Sequence, residues 1–292
     1  MILILGGSGF IGTEIVKLCK RRNLDYLVVD KDRNPLIPKQ NFYKLDLFKE
    51  NLRVNMFTNL KAVINLVGSP MMVPLSKRNK AMMYQSRVFI TKKIVNRLLE
   101  CANKDVVYIQ ASGVNCYEDA SISFEDSLMD DSFLSNLVQD WEAAADPLKN
   151  HLKRVVFVRQ PIVLGKRGFF GVFRFFKFFG LIPILKVDNF KMNFIDVLNL
   201  AQVYLSLMDS KLNGVLNVSM NKSYDYVNFN KSIQSEFKLK PIYFSFNFLN
   251  KITFGLLSEV LKDFQIASNY NVQSELDVRM NSLRSCILKY LK

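Results

Sequence analysis

The chain of 292 residues has a single histidine, His151. It stands in the predicted link between a helix and a strand. A histidine-based triad and a multi-histidine metal site are therefore excluded, and no metal is expected. Cysteine is sparse as well. Cys19, Cys101, Cys116 and Cys286 share no metal-like spacing and fall on different predicted elements. They read as reduced thiols in a reducing compartment. No apolar run reaches the roughly 18–20 residues that a membrane span requires. The nearest, Phe169–Leu185, is interrupted by Arg174 and Lys177. The first predicted strand already contains residue 1, so no signal peptide and a cytoplasmic location are expected. No internal repeat is present. The net charge is +14, yet no block of five or six basic residues occurs. Scattered charge of this kind reads as a solvated basic surface, and no nucleic-acid partner is expected.

Nearly half the residues are apolar, at 49%, which is the composition of a globular protein with a large core. The firmest local pattern is at the start. Ile2–Leu5 is an apolar run, followed at once by Gly6, Gly7, Ser8, Gly9, Phe10, Ile11 and Gly12. Ile15, Val16, Leu18 and Cys19 then repeat at helical spacing. A buried strand, a glycine turn and a helix opening can hold a dinucleotide pyrophosphate. The first glycine permits a tight turn, the second lets backbone approach phosphate, and the third lets helix pack on strand. A second apolar run, Tyr26–Val29, ends in Asp30. That carboxylate lies about 20 residues past the turn, where it can take ribose hydroxyls.

Strand and helix patterns alternate through the first 165 residues. Strands are expected at Asn41–Asp46, Lys61–Val67, Val106–Ala111 and Arg154–Arg159, with helices near Ser76–Cys101 and Leu134–Leu148. This rhythm implies an α/β fold, a Rossmann-type doubly wound parallel sheet. Asp30, Asp46, Gly68, Ser112 and the Gln160-Pro161 pair all end predicted strands and so share one rim, where such sheets place ligands. The later chain is less regular, with a helix near Val197–Met208, a strand at Val215–Val218 and mostly helices after Ser219. Residues 1–165 are expected to form the dinucleotide-binding domain, to which the chain returns at about 190–218. Residues 166–189 and 219–292 are expected to form a smaller, mostly helical lobe.

The sequence resembles the extended short-chain dehydrogenase/reductase superfamily, and within it the atypical, NAD-dependent epimerase/dehydratase-like "epimerase family" branch. The resemblance covers most of the chain. It rests on Gly6 through Gly12, on Val63 through Gly68, on Ser86-Arg87 followed by Thr91, and on Ala111 through Tyr117. Asp140 through Ala144, Arg159 through Gly165 and Asn193 through Ala201 also fit. It implies a nicotinamide cofactor beside Leu66, Val67, Gly68 and Ala111. Working members use a tyrosine followed four residues later by lysine, which together manage the substrate proton. None of the eleven tyrosines here has lysine at that spacing. Leu134 and Val138 take those places, and Gly113, beside Ser112, takes that of the usual serine. The branch lacks the pair too.

Several assignments stay open at this level. Asp30 favours NAD, because a carboxylate repels a 2′-phosphate, while Lys31 and Arg33 can accept one; NAD or NADP is expected, with the balance toward NAD. Asp46 and Leu47 are placed against the adenine, with helix capping an equal reading for Asp46. Tyr117, with Ser112, is the remaining candidate for proton transfer, against a pocket-lining role. Arg87 can grip a ligand anion or the loop after the fifth strand. Trp141 and Glu142 face inward as architecture. Phe169–Phe179 has three readings: a helix wedged between lobes with its aromatics in the core, a substrate wall with Arg174 and Lys177 for a phosphate, or a face resting on a membrane. The expected function is an NAD(P)-dependent oxidoreductase or epimerase of unknown small-molecule substrate. The alternative is a non-catalytic dinucleotide-binding sensor or assembly protein, membrane-peripheral through 169–185.

Overall fold

The computed structural model describes residues 1–57, 59–118, 122–187, 190–220, 223–253, 255–261, 265–268, 270 and 272–292. Alternation of apolar side chains builds the first layers. β1 (Ile2–Leu5) is buried on both faces. Ile2 and Ile4 join one core cluster with α1 (Phe10–Arg21), while Leu3 and Leu5 point into a second. This is the two-residue period of a strand covered on both sides. β2 (Tyr26–Asp30), β3 (Phe42–Lys44) and β4 (Ala62–Asn65) follow. Next come α2 (Lys77–Tyr84) and α3 (Ile90–Cys101), joined through a π-helical turn at Gln85–Phe89. The long helix expected at Ser76–Cys101 is therefore continuous but locally wound wider. β5 (Val107–Gly113), the short β6 (Ile122–Ser123), α4 (Phe133–Ala143) and β7 (Arg154–Gln160) complete this part.

β8 (Ile162–Leu164), α5 (Phe169–Phe178), β9 (Leu181–Lys186), β10 (Lys191–Met192) and β11 (Phe194–Asp196) lead into α6 (Val197–Leu207) and β12 (Gly214–Asn217). β12 joins the main sheet, whose order is β12-β7-β5-β4-β1-β2-β3, all parallel. The chain crosses from β1 outward in both directions, as a doubly wound sheet must. α1 and α6 cover one face and α3 the other. Of the loop expected at Ser112–Asp131, residues 119–121 lie outside the described residues.

The remaining chain runs through β13 (Tyr224–Asp225), α7 (Tyr226–Phe237), β14 (Lys240–Ser245), α8 (Phe246–Ile252), α9 (Leu256–Val260), β15 (Gln265–Ile266), α10 (Val272–Glu275) and α11 (Leu283–Leu291). A third core cluster fills it, with Phe170, Phe173, Phe194, Phe229, Ile287 and Tyr290 among its members. Helices are joined here by a parallel pair, β9 with β14, over six residues. Asp196 ties this region to the main sheet. Its wholly buried carboxylate caps Leu198 N, accepts from Tyr290 Oη at 2.5 Å and from Asn281 Nδ2, and begins α6.

The expectation that the aromatics of 169–179 sit in the core holds fully for two of the seven, with Phe169 and Phe176 half-buried. Phe170 and Phe173 are buried, but Phe175, Phe178 and Phe179 are 64%, 85% and 59% exposed. The helix packs through one face only, because α5 lies at the edge of its cluster with Phe229 and Tyr290 beneath it. Among the described residues no helix is long and apolar enough to cross a membrane.

Candidate functional site

The cradle between β1 and α1 is built from an absence of side chains. Gly6 has φ +74°, and a Cβ there would lie 3.0 Å from the Leu66 carbonyl group. A Cβ at Gly12 would lie 2.5 Å from Gly7 Cα, so helix and turn touch backbone to backbone. Gly9 is exposed and begins the helix without any side-chain cap. The first N–H groups of α1 are then left for a ligand or water, at the end where the helix dipole favours an anion. Ser8 is held from the far side, its Oγ and carbonyl oxygen accepting from Asn34 N and Nδ2. Phe10 does not face the cradle alone. A Cβ at Gly165 would strike its ring at 2.6 Å, so the ring packs under the second region. Ile11 is half-buried against both neighbouring clusters.

Asp30 ends β2 beside this turn. Its Oδ2 accepts from Ser8 N at 3.1 Å and its Oδ1 from Lys31 N at 2.8 Å. Burial raises its pKa, against the opposing pull of those two backbone hydrogen bonds. A cavity of about 350 Å³ opens next to it, lined by Lys31, Asp32, Arg33, Lys39, Phe42 and Lys44. Lys39 and Lys44 arrive there because β3 runs parallel to β2 with Asp30 opposite Lys44, and nothing local in the sequence announces that pairing. Leu45 N donates to Asp30 O, which brings Asp46 and Leu47 past the same strand ends. Leu47 is buried in the core with Leu3 and Leu5, because this segment turns inward beneath the sheet edge. Asp46 caps a turn, its Oδ1 accepting from Phe48 N, and no helix follows it.

The end of β4 is the second half of the rim. Asn65, wholly buried, holds the strand end: its Oδ1 accepts from Val67 N, and its Nδ2 donates to Tyr108 Oη and Thr91 Oγ1. Leu66 and Val67 are half-buried here, and Gly68 is exposed. Ser86 and Arg87, from the π-helical turn, clasp the following residue. Ser86 Oγ accepts from Ser69 N, and Arg87 Nη2 donates to Ser69 O at 2.9 Å. Arg87 therefore grips the loop after the fourth strand and not the loop after the fifth. It is buried, with its Nε and Nη1 lacking any hydrogen-bond partner. Burial lowers its pKa to about 10.

Ser112 and Tyr117 lie where β5, β7 and β12 end, within a closed polar knot that the sequence did not reveal. Ser112 Oγ donates to Glu142 Oε1 at 2.5 Å. Arg159 forks onto both Glu142 oxygens at 2.9 and 2.7 Å, and its Nη1 donates to Tyr117 Oη at 2.8 Å. Tyr117 Oη in turn donates to Asn217 Oδ1 at 2.7 Å. The expected proton donor is thus 0% exposed, with its proton aimed at a protein amide. Burial raises its pKa, with Arg159 opposing. Ala111 is buried in the strand itself, its side chain in the core. The only hint of the knot in the sequence was Glu142 at inward helical spacing. Its arginine partner is 17 residues away on another element.

Pro161 lines a small cavity of about 30 Å³ with Asn115, Asn193, Val260 and others, between the rim and the second region. Arg174 and Lys177 are not in it. Arg174 is exposed and donates to Lys166 O. Lys177 reaches Leu291 O at 2.5 Å and lies 4.4 Å from the Phe237 ring centre. Both cations project from an outer helix and serve its neighbours, so the phosphate-binding wall is corrected. Among the described residues no group of His, Cys, Asp and Glu could hold a metal ion.

Comparison with known proteins adds to this geometry. The model of the NAD dependent epimerase/dehydratase family matches residues 2–136. The epimerase family protein SDR39U1 of Mus musculus is 30% identical over 176 residues, covering 57% of this chain and 56% of that protein. The chain thus matches little more than half the length of such curated relatives. Over the whole chain, the fold is similar to that of human epimerase family protein SDR39U1 (isoform 2) with NADPH, at TM-score 0.80 and 21% identity, covering 99% and 97% of the two chains. MoeE5 in complex with UDP-glucose and NAD is similar at TM-score 0.80 and 18% identity, with the same coverage. At these identities the likeness is one of fold.

Proposed function

From the match of residues 2–136 to the model of the NAD dependent epimerase/dehydratase family, we propose that the chain is an NAD(P)-dependent oxidoreductase or epimerase of that kind acting on a small molecule. The single observation that carries this reading is the side-chain-free cradle at Gly6–Gly12. Backbone fills all the space a Cβ would need at Gly6 and Gly12, and α1 opens uncapped beside them. These residues suit a pyrophosphate and little else. Gly6, Ser8, Gly9 and Gly12 would hold it. Leu66, Val67 and Gly68 would flank the nicotinamide half. When bound, the nicotinamide ring supplies or accepts a hydride, and the protein supplies orientation.

NADP(H) suits the adenosine end better than NAD(H). The preference for NAD rested on Asp30, whose two oxygens are engaged by Ser8 N and Lys31 N. The cavity beside it carries four cations and one carboxylate, and surplus positive charge of this kind favours a 2′-phosphate. On the proton side Ser112 and Tyr117 both donate to buried protein acceptors. They hold the rim in shape and leave proton transfer to water or to the substrate's own groups. Titrating the purified chain with NADPH and NADH, followed by nicotinamide fluorescence, is the test. NADPH is expected to bind more tightly; no binding of either at millimolar concentration would sink the reading. Turnover on a panel of carbonyls and sugar nucleotides separates the enzyme from a non-catalytic sensor.

A second reading has its own observation. Phe175, Phe178 and Phe179 form an exposed aromatic face beside the cation of Arg174, a pattern suited to a membrane surface. Flotation with anionic liposomes tests it: protein that stays at the bottom disposes of it.

A further inference from the structure

Among the described residues of the rim, Arg87 is buried in a way that the protein alone does not account for. A guanidinium carries five N–H donors. Here Nη2 serves Ser69 O, while Nε and Nη1 are buried without any partner. Among the described residues no carboxylate pairs with it. A buried, unpaired charge is among the costlier features a fold can keep, since burial removes water and nothing replaces it. Its pKa, lowered to about 10 by burial alone, reports the same strain.

The surroundings close on both faces of the group and give its remaining donors no acceptor. Its Cζ lies 5.2 Å from the Trp141 ring centre, so one face is covered by an aromatic. On the other side the guanidinium packs against Gly68, whose missing side chain admits it: a Cβ at Gly68 would stand 2.9 Å from Cζ and Nη2. Gly68 is exposed and Arg87 lies just beneath it. The residue also sits in the middle of the π-helical turn Gln85–Phe89, a distortion that recurs at functional sites. An unsatisfied cation, a cover no thicker than one exposed glycine and a distorted helix thus coincide at the end of β4.

The position decides the ligand. β1 lies between β2 and β4 in the sheet. The adenosine features, Asp30 and the basic cavity, belong to the β2 side. A dinucleotide lying across the β1 end therefore presents its other half to β4. We propose that Arg87 anchors the nicotinamide half of the dinucleotide, donating to its ribose or adjoining phosphate oxygens. This supplies, from a different helix, the ribose-holding cation that the missing Tyr–Lys pair would have provided. The inference rests on the dinucleotide reading above.

Three proteins decide it: wild type, Arg87→Met and Arg87→Lys. The readouts are NADPH affinity by nicotinamide fluorescence, affinity for adenosine 2′,5′-bisphosphate by calorimetry, and the melting temperature without ligand. Arg87→Met is expected to weaken NADPH binding roughly 10- to 100-fold, the range for charge-assisted hydrogen bonds. Binding of the bisphosphate, which lacks the nicotinamide half, is expected to be unchanged. The ligand-free melting temperature is expected to hold or rise, because a buried unpaired charge has gone. Arg87→Lys is expected to fall between the two for NADPH alone. Wild-type affinity for NADPH in Arg87→Met overturns the assignment, even if a substrate's KM then rises. If Arg87→Met loses both ligands, equal loss in Arg87→Lys overturns it, and selective loss upholds it. A wild type that binds neither ligand sinks the dinucleotide reading itself, and this one with it.

Discussion

Arg87 at the end of β4 and Arg159 at the end of β7 are both nearly inaccessible, 6% and 2% exposed, and both lie within the same rim. Their surroundings are opposite. Arg159 forks onto Glu142, touches Tyr117 Oη and Glu125 O, and has its pKa raised, the pull of Glu142 outweighing the effect of burial. Arg87 has one backbone acceptor and a lowered pKa. The first region is a lock. Each guanidinium nitrogen of Arg159 has a protein acceptor, and the ends of β5, β7 and β12 are fastened to α4. The second is a shelf, where donors are left over beneath a single exposed glycine. The glycine cradle is of the second kind, since the first N–H groups of α1 are uncapped and the turn's side chains are missing. Polar groups that protein partners consume hold a fold together, and polar groups that remain open are ready for a ligand.

The contrast breaks most decisively at Glu142. Glu142→Gln removes the charge that neutralises Arg159, and a broken buried pair costs about 3–5 kcal/mol. Denaturant unfolding should show a loss of that order, while whatever NADPH binding the folded fraction has should persist. Stability within 1 kcal/mol of wild type, on the order of a surface ion pair, would mean that the knot is no lock.

Gly12→Ala attacks the shelf side. With its Cβ 2.5 Å from Gly7 Cα, α1 must move off the turn. Overpacking of this kind costs roughly 1–3 kcal/mol, and NADPH binding should be lost with it. A variant that keeps wild-type affinity would show that the cradle does not hold pyrophosphate.

Tyr117→Phe tests whether the tyrosine belongs to the lock. It strands Asn217 Oδ1 and one Arg159 N–H, at about 1–3 kcal/mol, and should leave cofactor affinity untouched. If the variant keeps its stability but abolishes a turnover shown by the wild type, Tyr117 is the proton donor after all.

The smallest effect is expected in the basic cavity. Replacing both Lys39 and Lys44 by Gln should weaken NADPH binding roughly two- to fivefold per residue, as for exposed ion pairs, with NADH unaffected. Equal loss for both cofactors would place the 2′-phosphate elsewhere.

The sequence alone determined the cradle and the sheet. Their signals are local: a glycine pattern at fixed spacing, apolar runs of strand length and helical periods between them. Backbone that must come close can be read from missing side chains without knowing what it approaches. The inward faces of Trp141 and Glu142 were equally legible from helical spacing. Only the tertiary structure decided what the polar residues do. Lys44 joins Asp30 through strand pairing, Arg159 finds Glu142 across two elements, and Tyr117 meets Asn217 at a separation of 100 residues. Burial, which turns an ordinary arginine into an unpaired cation at Arg87 and a proton-carrying tyrosine into a strut at Tyr117, is a property of the packed whole. Neither residue's neighbours in the chain carry it.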